Sequence, residues 1–221
     1  MKKLAPVLAL SILVLLGCKL SSLLPGSGGG SSNTGGTSGG AVTASSDPKA
    51  DIIAISKKFI DLKSFSAKME GEGQTPIRSQ VDYAAPDRYH ISYLGGTGAG
   101  MELIYTGSDS YMKSGDKWTK MPGGGSKSIP TLRDSFTEEG LKSLTDAKFE
   151  GEDTVDGRPV LVYSYKNGTP VGNYPFTAKM WVSKSSGLPM KIYCEYSNGV
   201  LKNMTINYDT ESPITIEAPI K

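Results

Sequence analysis

After Ser64 the apolar residues of this chain change period from 3.6 to 2, and the alternation continues, interrupted by turns, almost to the C-terminus. A strand presents successive side chains to opposite faces, so this pattern commits the chain to antiparallel sheet with one buried and one wet face. Ser66–Glu70, Arg78–Tyr83 and Arg88–Tyr93 read as successive strands, with breaks at Gly71-Glu72-Gly73 and Ala85-Pro86-Asp87. Met101–Thr106, Ser110–Lys113 and Lys117–Met121 follow, with hairpin turns at Gly107-Ser108-Asp109 and Ser114-Gly115-Asp116. In the C-terminal third the strands are Val160–Tyr165, Phe176–Lys184, Pro189–Ser197, Leu201–Tyr208 and Ile214–Glu217. Their turns are Asp156-Gly157, Ser186-Gly187, Asn198-Gly199 and Ser212-Pro213, of which Asn-Gly is the strongest hairpin signal.

Two stretches keep the helical period. Asp47-Pro48 reads as an N-cap followed by the first helical position. Ile52, Ile55, Phe59 and Leu62 then recur on one face, with Lys57, Lys58 and Asp61 elsewhere, which predicts an amphipathic helix of about four turns. Between Ile129 and Asp146, Leu132, Phe136, Leu141 and Leu144 supply apolar positions, and Ser135-Phe136-Thr137-Glu138 fits a capping box. Gly140 limits this region to one or two short helices. The expected fold is therefore α+β. A strongly curved, unclosed antiparallel half-barrel of about nine to eleven strands wraps a leading helix and a short helical insertion. If the helices fill its concave face incompletely, an apolar cavity remains.

The N-terminus places the chain in the cell. Lys2-Lys3, an apolar run from Leu4 to Gly17 and then Cys18 have the physics of a secretory signal peptide. The run falls short of the ~20 residues that a membrane-spanning helix needs. From about Leu20 to Ser46 the chain is almost entirely Gly, Ser and Thr, a composition that cannot offset its own ordering entropy. A flexible coil of ~27 residues spans roughly 30 Å, enough to act as a tether. The expected organisation is a leader over 1–17, a tether over 18–46 and a folded domain over 47–221.

Composition excludes some classes. Removing Lys2 and Lys3 from the 24 basic side chains leaves them equal in number to the 22 acidic ones, so the mature chain is close to neutral. Nucleic-acid binding needs a basic stripe, and the sequence has no dense Lys/Arg cluster. Cys194 is the only cysteine besides Cys18, so an acylated Cys18 leaves no intramolecular disulfide and stability must come from an apolar core. Cys194 sits in an alternating segment, Ile192-Tyr193-Cys194-Glu195-Tyr196, and reads as a small buried hydrophobe.

Leu15-Leu16-Gly17-Cys18 resembles the lipobox of bacterial lipoproteins, although Leu16 stands where a smaller residue is usual. An ordinary signal peptide with an incidental cysteine is the alternative. Met180-Trp181-Val182-Ser183-Lys184-Ser185-Ser186-Gly187-Leu188-Pro189 looks like a family hairpin in which a Trp-bearing strand turns through Gly-Leu-Pro. Tyr111-Met112 and Asp116-Lys117-Trp118-Thr119-Lys120 look like the same group's tyrosine strand and Trp hairpin. These features resemble the LolA-like superfamily, in particular bacterial lipoproteins of the LppX/LprG type. The resemblance covers roughly Asp47 to the C-terminus. It implies an unclosed barrel packed on helices, with a hydrophobic cavity for acyl chains of lipids or lipoproteins. It also implies an acyl anchor on Cys18. The protein would then lie outside the cytoplasm, on the outer membrane facing the periplasm in a Gram-negative cell and on the outer face of the cell membrane otherwise. LolA itself is a soluble shuttle, and an anchored chain departs from that behaviour.

No constellation for catalysis stands out. His90 is the only histidine and no serine near it carries a nucleophile-elbow sequence. Glu150, Glu152, Asp153 and Asp156 flank a turn without calcium-loop spacing, and Gly95–Gly100 lacks the dinucleotide fingerprint. The chain is expected to be a monomeric, non-enzymatic binding protein with no cofactor. The candidate cavity residues alternate along the strands: Tyr89, Ile91, Tyr93, Met101, Leu103, Tyr105, Met180, Val182, Ile192, Tyr196, Met204, Ile206 and Tyr208. Flexible Met side chains among them would adapt to different chains. The sequence pattern is the same whether these residues fill a core or line a cavity. A sensor or protein-interaction module with no lipid ligand is the competing expectation.

Overall fold

The structure, a computed structural model, describes residues 41–96, 98–122, 124–125, 132–168, 175–197 and 200–220. Cys18, the leader, the tether as far as residue 40 and the Asn198-Gly199 turn lie outside the described residues. Helix α1 runs over Pro48–Ile60. It starts where expected because the Asp47 carboxylate accepts from the Lys49 and Ala50 N–H groups, each at 3.1 Å, and Pro48 has no donor to lose. Ile52, Ile55 and Phe59 are buried along one face.

The remainder is one antiparallel sheet of 11 strands. They are β1 (Ser64–Gly73), β2 (Ile77–Ala84), β3 (Arg88–Gly96), β4 (Glu102–Thr106), β5 (Asp109–Ser114) and β6 (Lys117–Met121). After a helical insertion come β7 (Thr145–Val155), β8 (Arg158–Gly168), β9 (Pro175–Ser183), β10 (Pro189–Tyr196) and β11 (Leu201–Asp209). The order β6-β5-β4-β3-β2-β1-β11-β10-β9-β8-β7 is two meanders joined through β1 and β11, where Ala67 faces Tyr208 and Met69 faces Ile206. The sheet is not closed: β6 and β7 are its edges. One face carries α1 and the insertion. The other holds two small clusters, one of Ala84, Ile104, Tyr111 and Ile216 and one of Val160, Val162 and Met190.

The insertion is a 3-10 helix, Leu132–Phe136, and a single turn, α2, Glu138–Leu141. Its cap differs from the expected capping box: Thr137, not Ser135, accepts from the Gly140 N–H at 3.1 Å. Gly140 is buried so close to the preceding turn that a Cβ would lie 2.1 Å from the Asp134 carbonyl oxygen. Only glycine allows that approach.

Other differences have physical reasons. β7 was not expected, because it is an edge strand with most side chains in water and so lacks apolar alternation. The acidic residues Glu150, Glu152 and Asp153 lie on it. Ile214–Glu217 alternates but is not a strand. It lies extended on the convex face, where Ile214 and Ile216 pack beside Ala84, Ile104 and Tyr111, and Arg88 Nη1 donates to the Ile216 carbonyl at 2.6 Å. The packed chain also begins ahead of Asp47. The Val42 N–H donates to the Lys184 carbonyl at 2.7 Å, and Val42 and Ala44 pack against the main core.

Candidate functional site

Strand register puts every sequence-selected cavity residue on the concave side except Met101, which precedes β4 and has no register partner. Tyr89 faces Tyr105 and Ile91 faces Leu103 across β3 and β4. Ile206 faces Ile192, which faces Met180, across β11, β10 and β9. All of these except Tyr93 and Met101 belong to, or pack against, one apolar cluster that also contains α1. That face has two ends. Where β1 begins and β9 and β11 finish is the base; the opposite end, at the β1–β2 turn and the β3–β4 connection, is the rim.

At the base the concavity is filled. Phe59 of α1 sits with its ring centroid 4.8 Å from Phe65, 4.3 Å from Phe136 and 5.2 Å from Tyr208. Phe65 continues this contact to Tyr83 at 5.2 Å, and Tyr83 to Tyr89 at 5.1 Å. Aromatic groups of this size dominate core energetics and prefer such tilted and edge-on contacts. Tyr89, Tyr105, Met180, Val182, Ile192, Ile206 and Tyr208 are all buried, Met180 and Val182 completely. Polar ties hold the helical elements in place. The Tyr163 hydroxyl donates to Asp51 at 3.0 Å, and Arg133 donates to the Tyr83 hydroxyl and the Ile60 carbonyl. The Arg133 guanidinium lies 4.4 Å from the Tyr83 ring centroid, so it meets the aromatic face as well. Burial and the Asp51 contact push the Tyr163 phenol well above its ordinary range, which keeps it a donor.

Toward the rim the same face is only half covered. Ile91, Tyr93, Met101, Leu103, Tyr196 and Met204 are half-buried, as are Met69 and Ile77, which the sequence reading did not single out. Their alternation on β1 and β2 was the available signal. Tyr165, Phe176 and Cys194 were also missed as members of this face. Here polar atoms enter an apolar surface. Burial is the main cause that pushes the phenols of Tyr165 and Tyr196 upward. Burial pushes the Cys194 thiol to about 12, so it is a neutral, unreactive group. On the β8 side, Asn167 Nδ2 donates to the Gly140 carbonyl at 2.9 Å and fastens α2 to the strand end. A cleft of about 300 Å³ at this end is lined by the charged Glu70, Glu72 and Arg78 as well as Gly71, Pro76 and Ile77.

The convex face has different chemistry. His90 lies half-buried between Glu102, 2.9 Å from Nε2, and Asp82, 3.8 Å from Nδ1. Lys113 Nζ closes the row on Glu102 at 2.8 Å, and this hydrogen bond holds the Glu102 carboxyl below its ordinary range. Among the described residues no group of three or more His, Cys, Asp or Glu is placed to hold a metal ion. No helix among them is long and apolar enough to cross a membrane.

The architecture is that of an open antiparallel half-barrel wrapped on helices. No protein-family model and no curated protein matches the chain. Solved structures do share the fold. The lipoprotein LppX of Mycobacterium tuberculosis aligns with a TM-score of 0.56 and 15% identity, over 77% of this chain and 98% of that one. LprF from Mycobacterium bovis aligns at 0.58 and 13%, over 79% and 97%. A LolA superfamily protein from Nitrosomonas europaea also matches, at 0.31 and 10%, over 71% and 90%. The argument from fold rests on the first two.

Proposed function

We propose that this protein is a membrane-anchored, extracytoplasmic, non-enzymatic lipoprotein. It takes acyl chains of a lipid or an acylated lipoprotein into the rim half of its concave face, for local transfer or retention. The observation that carries this reading is that the part-exposed Ile91, Leu103, Tyr196 and Met204 pack against the same apolar cluster as the buried base residues. Burying an acyl chain there gains ~0.8 kcal/mol per CH2, or roughly 10 kcal/mol for a long chain before ordering costs. The packed base residues Met180, Val182, Ile206 and Tyr208 then act as the floor of the site.

The anchor rests on Lys2-Lys3, the Leu4–Gly17 run and Cys18, and the tether on the Gly/Ser segment that follows. A tether of roughly 30 Å keeps the domain beside its own membrane, which favours local hand-over above free shuttling. The likeness to LppX, itself named a lipoprotein, supports the reading at the level of fold. The test is organic extraction and mass spectrometry of the full chain isolated from membranes. About one non-covalently held lipid per protein is the expected result. Absence of stoichiometric lipid, with full activity in binding a partner protein, would establish the interaction-module reading in its place.

A further inference from the structure

Two buried hydroxyl groups stand inside the apolar face without a partner. Tyr165 is 8% exposed and Tyr208 is 7% exposed, and both belong to the main core cluster. Among the described residues neither hydroxyl makes a hydrogen bond. Arg133 Nε is the one partnerless polar side-chain atom among them that is wholly shut off from solvent, so both hydroxyls still touch open space. Strand register locates that space. Tyr165 faces Ala178, Ala178 faces Cys194 and Cys194 faces Met204, a single row across β8, β9, β10 and β11. The next row toward the base is Tyr163, Met180, Ile192 and Ile206, and the next toward the rim sets Phe176 opposite Tyr196. Ala178 and Cys194 are small, so their row is a trough between two taller ones. Tyr208 rises from the base, opposite Ala67, and its phenol is near enough to Tyr165, Tyr196 and Cys194 to act on them electrostatically. The two free hydroxyls therefore converge on the trough, beside the part-exposed Met204 and Tyr196.

We infer that the Tyr165 and Tyr208 hydroxyls hold the ester carbonyl of an acyl-chain lipid in this trough, so that the protein selects neutral acyl esters over free fatty acids and plain hydrocarbon. The inference rests on the acyl-chain reading above and names the ligand group that reading leaves open. Buried polar groups in folded proteins are nearly always paired, and a donor left unpaired is unfavourable. A carbonyl oxygen has two acceptor positions and no donor, which matches two O–H groups aimed at one place. Burial holds both phenols above their ordinary range, so they stay protonated and able to donate. Plain hydrocarbon would leave both donors unpaired. A carboxylate would be buried without a counter-charge, because no charged side chain acts on either phenol and the buried polar residues are all Ser or Asn. A neutral ester meets neither penalty.

The test uses the full chain, isolated from membranes and stripped of bound lipid on a hydrophobic resin. Uptake of isotope-labelled methyl palmitate, hexadecane and, at alkaline pH, ionised palmitate is compared for the wild type, Tyr165→Phe, Tyr208→Phe and the double variant. The ester-to-hexadecane uptake ratio is expected to fall roughly fivefold on loss of either hydroxyl, and further when both are lost. The wild type is expected to take the ester in preference to palmitate. The urea midpoint of each single variant should not fall, because a hydroxyl without a protein partner holds nothing in place. An unchanged ratio in both single variants overturns the inference, and is the result that hydroxyls serving bound water alone would give. A lowered urea midpoint in both, or palmitate taken as readily as the ester, overturns it too. Hexadecane uptake separates the two readings. Hydrocarbon taken up with an unchanged ratio removes the hydroxyl site alone, and no uptake of any of the three removes the acyl-chain reading with it.

Discussion

The base and the rim of the concave face are built from the same alternating residues on the same strands, yet the rim is buried only where Tyr165, Phe176 and Cys194 lie and stays part-exposed at Ile91, Leu103, Tyr196 and Met204. At the base, α1 contributes Phe59 and the insertion contributes Phe136, which pack with each other and with Phe65 and Tyr208 of the strands. At the rim, Ile91, Leu103 and Met204 have the same register and the same chemistry but are only half covered. A curved sheet provides more apolar surface than one helix and a short insertion can bury. In the proposed function that surplus is the surface an acyl chain would cover, so stability and binding would be separable along a single face.

The sharpest way to break that comparison is to remove one side chain from each end. Phe59→Ala should cost about 3–5 kcal/mol in denaturant unfolding, because a fully buried aromatic leaves a cavity that its neighbours cannot close. Met204→Ala should cost about 1 kcal/mol, since part of its surface stays in water, while lowering the lipid recovered by extraction severalfold. Equal destabilisation by the two changes would erase the distinction between floor and site.

Cys194 sharpens the comparison from the inside. It lies on the concave face, 5% exposed, with its thiol pushed to about 12. Alkylation at pH 8 should be at least a hundredfold slower in the native protein than in denaturant, followed by mass spectrometry. Bound lipid should slow it further, because Cys194 belongs to the same apolar cluster that the chain would cover.

The smallest expected effect comes from the convex face, outside the comparison and so its control. Glu102 is held below its ordinary value of 4.5, chiefly by the Lys113 hydrogen bond. A depressed folded-state value contributes stability that is fully present above the unfolded value and is lost as pH falls through the folded one. The pair is partly exposed and screened by solvent, so the contribution is small. Lys113→Met should flatten the loss of stability between pH 6 and pH 3 without changing lipid content.

Much of the architecture was legible in the sequence because each element carried its own local signal. Asp47-Pro48 and the Ile52, Ile55, Phe59 spacing specify α1, and the change of period at Ser64 specifies the meanders. β7 was illegible because an edge strand exposed to water keeps no alternation. Ile214 and Ile216 misled for the converse reason, since any extended segment lying on an apolar surface alternates whether or not it has strand partners. The candidate site was legible as a face and not as a place. Register follows from period, so Tyr89, Ile91, Met204 and Ile206 could be assigned to one side. Which of them are covered depends on where α1 and the insertion come to rest, and that is decided by contacts such as Phe59 with Phe136 and Arg133 with Tyr83, far apart in sequence.

The most direct test of the central claim is photo-crosslinking with a diazirine-bearing fatty acyl lipid, followed by tandem mass spectrometry of the labelled peptides. The account expects label on the rim strands, at Ile91, Tyr93, Met101, Leu103, Tyr196 and Met204, and none at Met180 or Val182. Label confined to the convex face, or spread evenly over base and rim, would contradict it.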